Sequence, residues 1–510
     1  MKWQASQALP VELYSVEQTR ALDRAAIDSG IPGYELMQRA GSAAFALMRY
    51  LWPRRDKLLI CCGAGNNAGD GYVLARLAAD AGYGVEVLSL IDPTELKGEA
   101  KQAWEDVGGG EVLREPSTAD WSAPIIIDAL LGTGLQRPLT GDWADVVGQI
   151  NRSSARVMAL DVPSGIQADS GSVPGVAVRA DCTISFIGLN TGLLTGAAPA
   201  YCGELYFADL GIPAESVATV GVRAKRISLD EVMSSFPFRE VTDHKGRCGH
   251  VLVVGGLPGF TGAAAMAASA AVRAGAGLCT VATTPESVNA ISAAGPEIMV
   301  HGLTRPQAIK PLMARATVAV LGPGLGQTAW SQQAFAMVAD GDRPMVLDAD
   351  GLNILAENTF RRSNWVLTPH PGEAARLLGT SVIDIQSDRL AAAEAIVRQF
   401  GGVCVLKGAG TIVACDPESV SDEAGGDLSI CSAGSAAMAS GGMGDVLSGV
   451  IAALLAQGLS SPQAAKLGVC WHAAASDCLQ RQGFSAGQQA SDLINQLPLL
   501  RPASRGRNGA

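Results

Sequence analysis

The stretch SGGMGDVLSGVIAALLAQG, residues 440–458, places a single carboxylate, Asp445, where an apolar segment begins. Gly441, Gly442 and Gly444 allow a tight turn, and the helix predicted to follow would present free backbone N–H groups to an anion. A transferring phosphoryl group is such an anion, and Asp445 beside it could take a proton from an attacking hydroxyl. Because acids are also common helix N-caps, the alternative is that Asp445 only caps a core helix.

Other glycine-rich strand ends in the same half favour the first interpretation. VLKGAGTIVA, residues 405–414, puts Lys407 and several small or hydroxyl-bearing residues after an apolar run, where they suit nucleotide phosphates. LGPGLG, residues 321–326, is a further loop of this kind, and in LTPHPGE two prolines fix the direction of His370. Together these segments predict a phosphoryl-transfer site that binds a nucleotide.

A second group of polar residues follows apolar runs in the first half. GNNAGDG, residues 65–71, has the spacing G-x-G-x-x-x-G from Gly63 rather than the dinucleotide fingerprint G-x-G-x-x-G. Asp128 and Asp161 end two later runs, and Ser164 follows the second. Because the carboxyl ends of parallel strands share one edge of a sheet, we expect these side chains and Asn67 to line one pocket. Amide oxygens suit a hard cation, although an isolated asparagine is more often a turn residue.

Composition narrows the class of protein. The net charge of the 510 residues is 38 − 49 = −11 without a basic block, which disfavours a nucleic-acid partner. The 11 cysteines include no C-x-x-C pair, so we expect free thiols in a reducing cytoplasm. No secretory signal and no apolar span of membrane length is recognisable in the sequence. We expect a cytoplasmic protein that binds small molecules.

Short apolar runs alternate with helical patterns along the whole chain, which predicts an α/β protein with mostly parallel sheets. Two such series are separated by a stretch in which predicted strands and helices do not alternate regularly, and we place the domain boundary near 225–240. The predicted domains are 1–228 and 229–500, and the tail 501–510 is predicted to be disordered. An opening helix with a capping box from Ser15 to Gln18 is predicted to end at Gly30.

The motifs GNNAGDG, DALLGTG and DVPSG, in this order, resemble the NAD(P)H-hydrate epimerases, and the resemblance covers most of residues 10–225. It implies a Rossmann-like doubly wound fold and a potassium ion held by Asn67, Asp128 and Ser164. Of the two strand-end acids, Asp161 is favoured over Asp128 as the residue that assists epimerisation. The implied substrate contacts are Asn66, Asn67, Ala68, Gly69, Asp70, Gly132, Thr133, Gly134, Leu135, Gln136, Arg137, Pro138 and Asp161.

The glycine motifs of the second half resemble the ribokinase-like fold and, within it, the ADP- or ATP-dependent NAD(P)H-hydrate dehydratases, over about residues 245–495. The resemblance implies that Asp445 activates the ring hydroxyl of the hydrated coenzyme, with ADP as the favoured phosphoryl donor, accompanied by Mg²⁺. Ala264, Gly324, His370 and Asp445 would face the hydrated dinucleotide. The implied nucleotide contacts are Lys407, Gly408, Ala409, Gly410, Thr411 and Gly444.

Two other functions remain open from the sequence. The second half could be an ordinary kinase of a small alcohol, and the first half could be a nucleotide-sensing or scaffold module. The substrates implied by the resemblance are hydrated NADH and NADPH with ADP, and the small residues of AAAMAASAAVRAGAG, 263–277, suggest self-association, for which a tetramer is favoured.

Overall fold

The structure is a computed structural model that describes residues 3–5, 8–108, 116–135, 137–358, 360–417 and 428–502. The chain divides into two compact units, Met1–Arg226 and Ile227–Ala510. Gln136, a predicted substrate contact, and 503–510, most of the tail predicted to be disordered, lie outside the described residues. In the described part of the chain, no helix combines the length and the apolar character needed to cross a membrane.

The first unit is a parallel sheet with helices on both faces. Its strands are β1 (Gln4–Ala5), β2 (Glu12–Leu13), β3 (Leu58–Cys62), β4 (Val85–Ser89), β5 (Ile125–Ala129), β6 (Arg156–Leu160), β7 (Cys182–Phe186), β8 (Glu204–Ala208) and β9 (Ala224–Arg226). Its helices are α1 (Val16–Asp28), α2 (Gly33–Leu51), α3 (Asn66–Asp80), α4 (Gly98–Asp106), α5 (Asp142–Arg152) and α6 (Ala214–Val217). The main sheet has the order β1-β8-β7-β6-β5-β3-β4, and only β1 runs antiparallel to its neighbour.

Both faces of this sheet are covered by apolar side chains, as expected for a doubly wound fold. On β3, Leu58, Ile60 and Cys62 join one hydrophobic cluster, whereas Leu59 and Cys61 join a second cluster on the other face. From β3 the chain proceeds to β4 on one side and then to β5 on the other. The crevice between the carboxyl ends of β3 and β5 is therefore the point where ligands bind in folds of this type.

The helix predicted at the start of the chain is confirmed with its cap. Ser15 Oγ accepts from the Gln18 N–H at 3.2 Å, and Gln18 Oε1 accepts from the Ser15 N–H at 2.9 Å. This capping box fixes the start of α1, whose buried Leu22 lies against the backbone of Gly188 just beyond β7. The packing brings α1 to the carboxyl edge of the sheet.

The second unit has a larger mixed sheet. Its strands are β10 (His250–Val254), β11 (Leu278–Thr283), β12 (Ile298–Gly302), β13 (Val318–Leu321), β14 (Met345–Leu347), β15 (Trp365–Leu367), β16 (Val403–Leu406), β17 (Thr411–Cys415) and β18 (Leu428–Cys431). They are ordered β12-β11-β10-β13-β14-β15-β16-β17-β18, parallel as far as β16 and antiparallel from there to β18. The glycine-rich turn predicted to bind nucleotide thus connects an antiparallel hairpin, β16 to β17.

Helices surround this sheet, and they supply several of the polar side chains at its carboxyl edge. They are α7 (Leu229–Val232), α8 (Thr261–Arg273), α9 (Val288–Ser292), α10 (Lys310–Arg315), α11 (Ala329–Ala339), α12 (Ala349–Glu357), α13 (Pro371–Leu378), α14 (Val382–Ser387), α15 (Arg389–Phe400), α16 (Met443–Ala456), α17 (Ser461–Arg481) and α18 (Ala490–Gln496). Residues 217–249, which lack a clear rhythm in the sequence, contain the short elements β9 and α7.

The apolar segment that follows Asp445 forms α16, in which every residue from Val446 to Ala456 is buried. A helix that is hydrophobic all round must lie inside a core. A Cβ built on Gly449 would lie 2.1 Å from the Ala267 carbonyl oxygen, so the backbones of α16 and α8 are in close contact. The small residues of α8 are accounted for by this contact within the unit, and the oligomeric state stays a prediction.

Candidate active sites

Asp128 and Ser164 form a closed pair at the edge of the first sheet. Ser164 Oγ donates to Asp128 Oδ1 at 2.6 Å, and the Ser164 N–H donates to Asp128 Oδ2 at 2.8 Å. Both residues are buried, and the Leu130 N–H adds a third hydrogen bond to Asp128. Burial raises the pKa of Asp128 to about 6, although the hydrogen bonds from Ser164 and Leu130 oppose the shift. These hydrogen bonds hold the loop that follows β6 against the end of β5.

Asn67 lies in the first turn of α3, so the segment predicted as a loop is already helical. Its side chain is 8% exposed, and neither amide atom has a hydrogen-bond partner in the described part of the chain. A buried amide without partners is unfavourable by about 1–3 kcal/mol, so a ligand or a water molecule at this position would stabilise it. A Cβ built on Gly132 would lie 3.5 Å from Asn67 Cβ and 2.7 Å from Asp161 Oδ2. The three predicted segments therefore meet in one place.

Asp161 occupies a special backbone position directly after β6. Its φ of 63° lies in the left-handed region, which non-glycine residues adopt mainly where the surrounding structure requires it. The N–H groups of Thr133 and Phe186 donate to its half-buried carboxylate. Burial and the nearby charge of Asp23 nevertheless raise the pKa of Asp161 to about 7. The side chain can therefore exchange a proton near neutral pH.

Sequence reasoning missed Asp23, which lies on α1 next to the buried Leu22. Burial raises the pKa of Asp23 to about 6, and the charge of Asp23 also raises the pKa of Asp70 and Asp161. Three carboxyl groups from three segments thus interact at one pocket. No signal in the sequence separates Asp23 from the other charged residues of α1, and only the packing of this helix shows which pocket Asp23 reaches.

The other residues predicted to contact the epimerase substrate differ in exposure. Asn66 is exposed, whereas Ala68, Gly69 and Asp70 are buried. In the turn after β5, Gly134 and Arg137–Pro138 are exposed and the residues Gly132, Thr133 and Leu135 are half-buried. Beside Asp161, this turn therefore combines half-buried residues, which can line a pocket, with exposed residues at the pocket's entrance.

Asp445 lies in the first turn of α16, whose N-cap is Gly442 with a φ of 92°. The alternative that Asp445 serves as the N-cap is therefore not realised. No hydrogen bond or ion pair reaches its half-buried carboxylate in the residues that the structure describes. Burial and the charges of Asp348 and Glu373 raise the pKa of Asp445 to about 7, against the opposing charge of Lys407. It can therefore act as a base near neutral pH.

Lys407 is held in a network of acids at the ends of β14, β15 and β16. Its Nζ lies 2.8 Å from Asp348 Oδ1 and 3.8 Å from Glu373 Oε2. Burial alone would raise the pKa of Asp348, but Lys407 and the Ser448 hydroxyl, which donates at 2.7 Å, hold it below its usual value. Conversely, burial would lower the pKa of Lys407, and the two carboxylates raise it. The ammonium group remains charged beside Asp445.

Gly444 lets α16 approach this network closely. A Cβ built on it would lie 3.1 Å from Lys407 Nζ and 3.6 Å from Asp348 Oδ2. The sequence predicted both Gly444 and Lys407 as nucleotide contacts, and the structure brings them together. The sequence places Asp348 at a strand end in DADGLN, residues 348–353, without assigning it a contact, and Glu373 of LTPHPGE was not singled out. Asp348 stands at the N-cap of α12, but its side chain makes no capping hydrogen bond.

His370 has a local role as the N-cap of α13. Its Nδ1 accepts from the N–H groups of Gly372 and Glu373 at 2.9 and 3.3 Å, while Glu373 Oε2 accepts from the His370 N–H at 2.7 Å. The hydrogen bonds at Nδ1 indicate the tautomer with the proton on Nε2. His370 is exposed, and its Nε2 lies 3.4 Å from Glu373 Oε1.

Two of the remaining predicted dehydratase residues, Gly324 and Ala264, are near the loop after β10. The Leu257 N–H donates to the Gly324 carbonyl at 2.8 Å, and Gly324 has a φ of 61°. Ala264 is fully buried in α8 with its methyl group against Gly256, so its side chain does not line an open surface.

In the turn after β16, Gly408 and Ala409 are exposed, Gly410 is buried, and the Thr411 hydroxyl donates to the Gly408 carbonyl at 3.0 Å.

In comparisons with known proteins, the two units of the chain match two different families. Residues 251–499 match the family described as NAD(P)H-hydrate dehydratase, and residues 33–192 match that described as YjeF-related protein N-terminus. A bifunctional NAD(P)H-hydrate repair enzyme of Coxiella burnetii is 44% identical over 490 residues, which cover 96% of this chain and 99% of that protein. The chain belongs to this family of bifunctional repair enzymes. The member from Escherichia coli is 43% identical, over 96% of this chain and 94% of its own length.

Solved structures similar to the chain cover about half of it. One is a ribokinase-like superfamily protein from Enterococcus faecalis, 27% identical with a TM-score of 0.49, covering 54% of this chain and 94% of that one. Another is an ADP/ATP-dependent NAD(P)H-hydrate dehydratase from Bacillus subtilis, 30% identical with a TM-score of 0.48, covering 53% and 95%.

Membership of the bifunctional repair-enzyme family settles several sequence predictions. The predicted α/β fold class is confirmed: the strand order of the first unit is that of a doubly wound sheet, and the second unit is an α/β unit that matches the dehydratase family. The resemblance to NAD(P)H-hydrate epimerases and dehydratases is confirmed as well. Similarity over nearly the whole length to two-activity enzymes disfavours the simple kinase and the scaffold. The roles of individual residues stay predictions.

Proposed function

We propose that residues 1–228 interconvert the R and S epimers of hydrated NADH and NADPH, and that residues 229–500 dehydrate the S epimer with ADP. In the first reaction the hydroxyl on the ring carbon beside nitrogen departs and water returns on the other face. In the second reaction that hydroxyl is phosphorylated, so that phosphate leaves in place of hydroxide. The two activities together return both epimers to the reduced coenzyme.

The observation that carries the dehydratase proposal is the Asp445 carboxylate at the open end of α16. Its pKa of about 7 and its lack of hydrogen-bond partners among the described residues suit a general base. In the proposed reaction Asp445 takes the hydroxyl proton, and the oxygen attacks the terminal phosphorus of ADP with AMP as the leaving group. The ring-nitrogen lone pair then expels phosphate, and loss of a proton from the adjacent ring carbon restores the dihydropyridine.

Charge around the helix end supports this chemistry. The free N–H groups at the start of α16 and the Lys407 ammonium are positive where the transferring phosphoryl group would become more negative. We assign the turn Lys407–Thr411, together with Gly444, to the nucleotide phosphates. Mg²⁺ would enter with these phosphates, since it is usually bound by substrate phosphates together with one or two carboxylates.

For the epimerase we assign the chemistry to Asp161 rather than Asp128. Both oxygens of Asp128 are engaged by Ser164, whereas the half-buried Asp161 carboxylate lies beside the Gly132 turn. As a carboxylate, Asp161 would stabilise the iminium-like cation that forms when the hydroxyl leaves. Its pKa of about 7 also allows it to carry a proton between the departing and returning water.

A potassium ion fits the residues of the first unit. The buried Asn67 amide without partners supplies an oxygen, and Asp128 and Ser164 add a carboxylate and a hydroxyl. Oxygen ligands of this kind are those that hard cations prefer. Bound there, the ion would supply positive charge that orients the substrate's oxygen atoms. The cytoplasmic location and the tetramer remain predictions from the sequence.

The direct test supplies the purified chain with a mixture of both hydrate epimers in potassium buffer. With ADP, the absorbance of the reduced nicotinamide should return for the whole mixture, and AMP and phosphate should form in equal amounts. Without a nucleotide there should be no recovery. Recovery in the absence of any nucleotide, or phosphorylation without recovery, would refute the proposed function.

A further inference from the structure

The turn assigned to the nucleotide rests on a buried arginine, Arg389. This side chain is 1% exposed and belongs to the first residue of α15. A cation at a helix N-terminus is opposed by the helix dipole, and burial of a charge is unfavourable unless hydrogen bonds compensate it. Neither helix formation nor core packing therefore explains an arginine at this position.

The hydrogen bonds of Arg389 show what it holds. One terminal nitrogen, Nη2, donates to the carbonyl oxygens of Leu406 and Lys407, each at 3.2 Å. The other, Nη1, donates to Gln386 Oε1 at 2.9 Å. Leu406 is the last residue of β16, so the guanidinium group binds the chain where the strand ends and the turn begins.

Gly408 brings the backbone of the turn against the guanidinium group. A Cβ built on Gly408 would lie 3.0 Å from both terminal nitrogens of Arg389 and 3.2 Å from Cζ. Gly408 also has a φ of 139°, a conformation that other residues rarely adopt. The glycine is therefore required both for the bend and for the contact with Arg389.

We propose that Arg389 is a positioning residue that fixes the turn Lys407–Thr411 in the conformation that binds the phosphates of a nucleoside diphosphate. This inference rests on the proposed function, which assigns that turn to the nucleotide. The planar guanidinium group donates in several fixed directions, which a lysine ammonium on a flexible stem does not reproduce. Burial lowers the pKa of Arg389 to about 10, so the group stays protonated at neutral pH.

The test compares R389M and R389K with the unchanged full-length chain. We expect R389M to raise the KM and the Kd for ADP about tenfold or more, with kcat changed less than KM, because the turn that binds phosphate is no longer held. R389K keeps the positive charge but not the planar guanidinium group with its fixed donor directions, so it should recover only part of the affinity for ADP. Epimer exchange by the same chain should be unaffected in both variants.

A matched control is R362M. Arg362 also donates to backbone carbonyls, those of Ala339 and Arg343, and burial also lowers its pKa. It precedes β15 and so lies at the amino end of the parallel strands, whereas the turn Lys407–Thr411 follows the carboxyl end of β16. R362M should lower the Tm without raising the KM for ADP. If R389M does not fold, R389K decides the outcome.

The inference is overturned if the arginine variants at 389 bind ADP as R362M does, within about twofold. That result would leave Arg389 as a structural residue while the unchanged chain still dehydrated its substrate with ADP. Absence of ADP-dependent dehydration in the unchanged chain would instead contradict the proposed function. The two failures are therefore distinguishable.

Discussion

Lys407 Nζ and Asp348 Oδ1 lie 2.8 Å apart, and this ion pair connects the carboxyl ends of β16 and β14. The Lys407 side chain is 20% exposed and that of Asp348 is 2% exposed, so neither charge is well solvated. The pair lies against Gly444 in the first turn of α16 and influences the pKa of Asp445. One contact thus links the stability of the second unit to the protonation of its proposed base.

Replacing Lys407 with methionine should destabilise the second unit. The variant leaves the Asp348 carboxylate buried with only the hydroxyl groups of Ser448 and Thr368, and loss of one partner of a buried pair costs about 3–5 kcal/mol. Hydrogen exchange of the amides in β14 and β16 should show the loss of protection. As a control, K57M removes the ion pairs of the exposed Lys57 with Glu86 and Asp120 and should leave protection unchanged. Protection equal to that of the unchanged chain in K407M would contradict the account.

Dehydration should depend on pH through Asp445. The proposed base acts only when deprotonated, and its pKa is raised to about 7, so the rate should fall as the pH drops through about 7. The charge of Glu373 is among the causes of the raised value. E373Q should therefore shift the midpoint of the pH profile of kcat to lower pH. A midpoint that stays in place, or moves to higher pH, would show that another group controls the rate.

Asn67 should determine the response to potassium. N67A removes a buried amide without partners among the described residues, so the variant should be at least as stable as the unchanged chain in buffer free of potassium. Potassium should raise the Tm of the unchanged chain but not that of N67A, because a ligand stabilises only a protein that binds it. N151A, which removes an amide that donates to the Ala177 carbonyl, is a control and should keep the response. An equal potassium shift in N67A would exclude Asn67 as a ligand.

Epimer exchange should require Asp161 and be tuned by Asp23. D161N should slow exchange by about 100-fold or more while the S epimer is still dehydrated. The charge of Asp23 helps to raise the pKa of Asp161, so D23N should lower that pKa and move the acid limb of the exchange rate to lower pH. The measurement is exchange between the separated epimers across pH 5–9, a range of about two units either side of the pKa of about 7. A shift to higher pH would contradict the proposed role of Asp23.

The sequence predicted the local features of the fold well, because they depend on neighbouring residues. The capping box at Ser15 and Gln18 and the apolar run of α16 are read directly from residue types and spacing. The hairpin formed by β16 and β17 was not resolved from the single motif VLKGAGTIVA, since the turn lies inside one apolar segment.

For the candidate sites, the sequence predicted which polar residues lie at the ends of strands, but not which side chains contact one another there. The rule that parallel strands present their carboxyl ends at one edge brought Asn67, Asp128 and Ser164 into one prediction. The partner of Lys407 could not be read in this way, because Asp348 lies 59 residues away and only the order of β14, β15 and β16 brings the two together. The same holds for Arg389, whose hydrogen bonds to the turn depend on how α15 packs on β16.

The substitution D445N tests the central claim most directly, because both activities can be measured in one chain. With the S epimer and ADP, the variant should form neither AMP nor reduced coenzyme, whereas conversion of the R epimer to the S epimer should continue at the rate of the unchanged chain. An amide keeps the shape of the side chain but cannot accept the hydroxyl proton. Dehydration by D445N at the unchanged rate, or equal loss of both activities, would contradict the account.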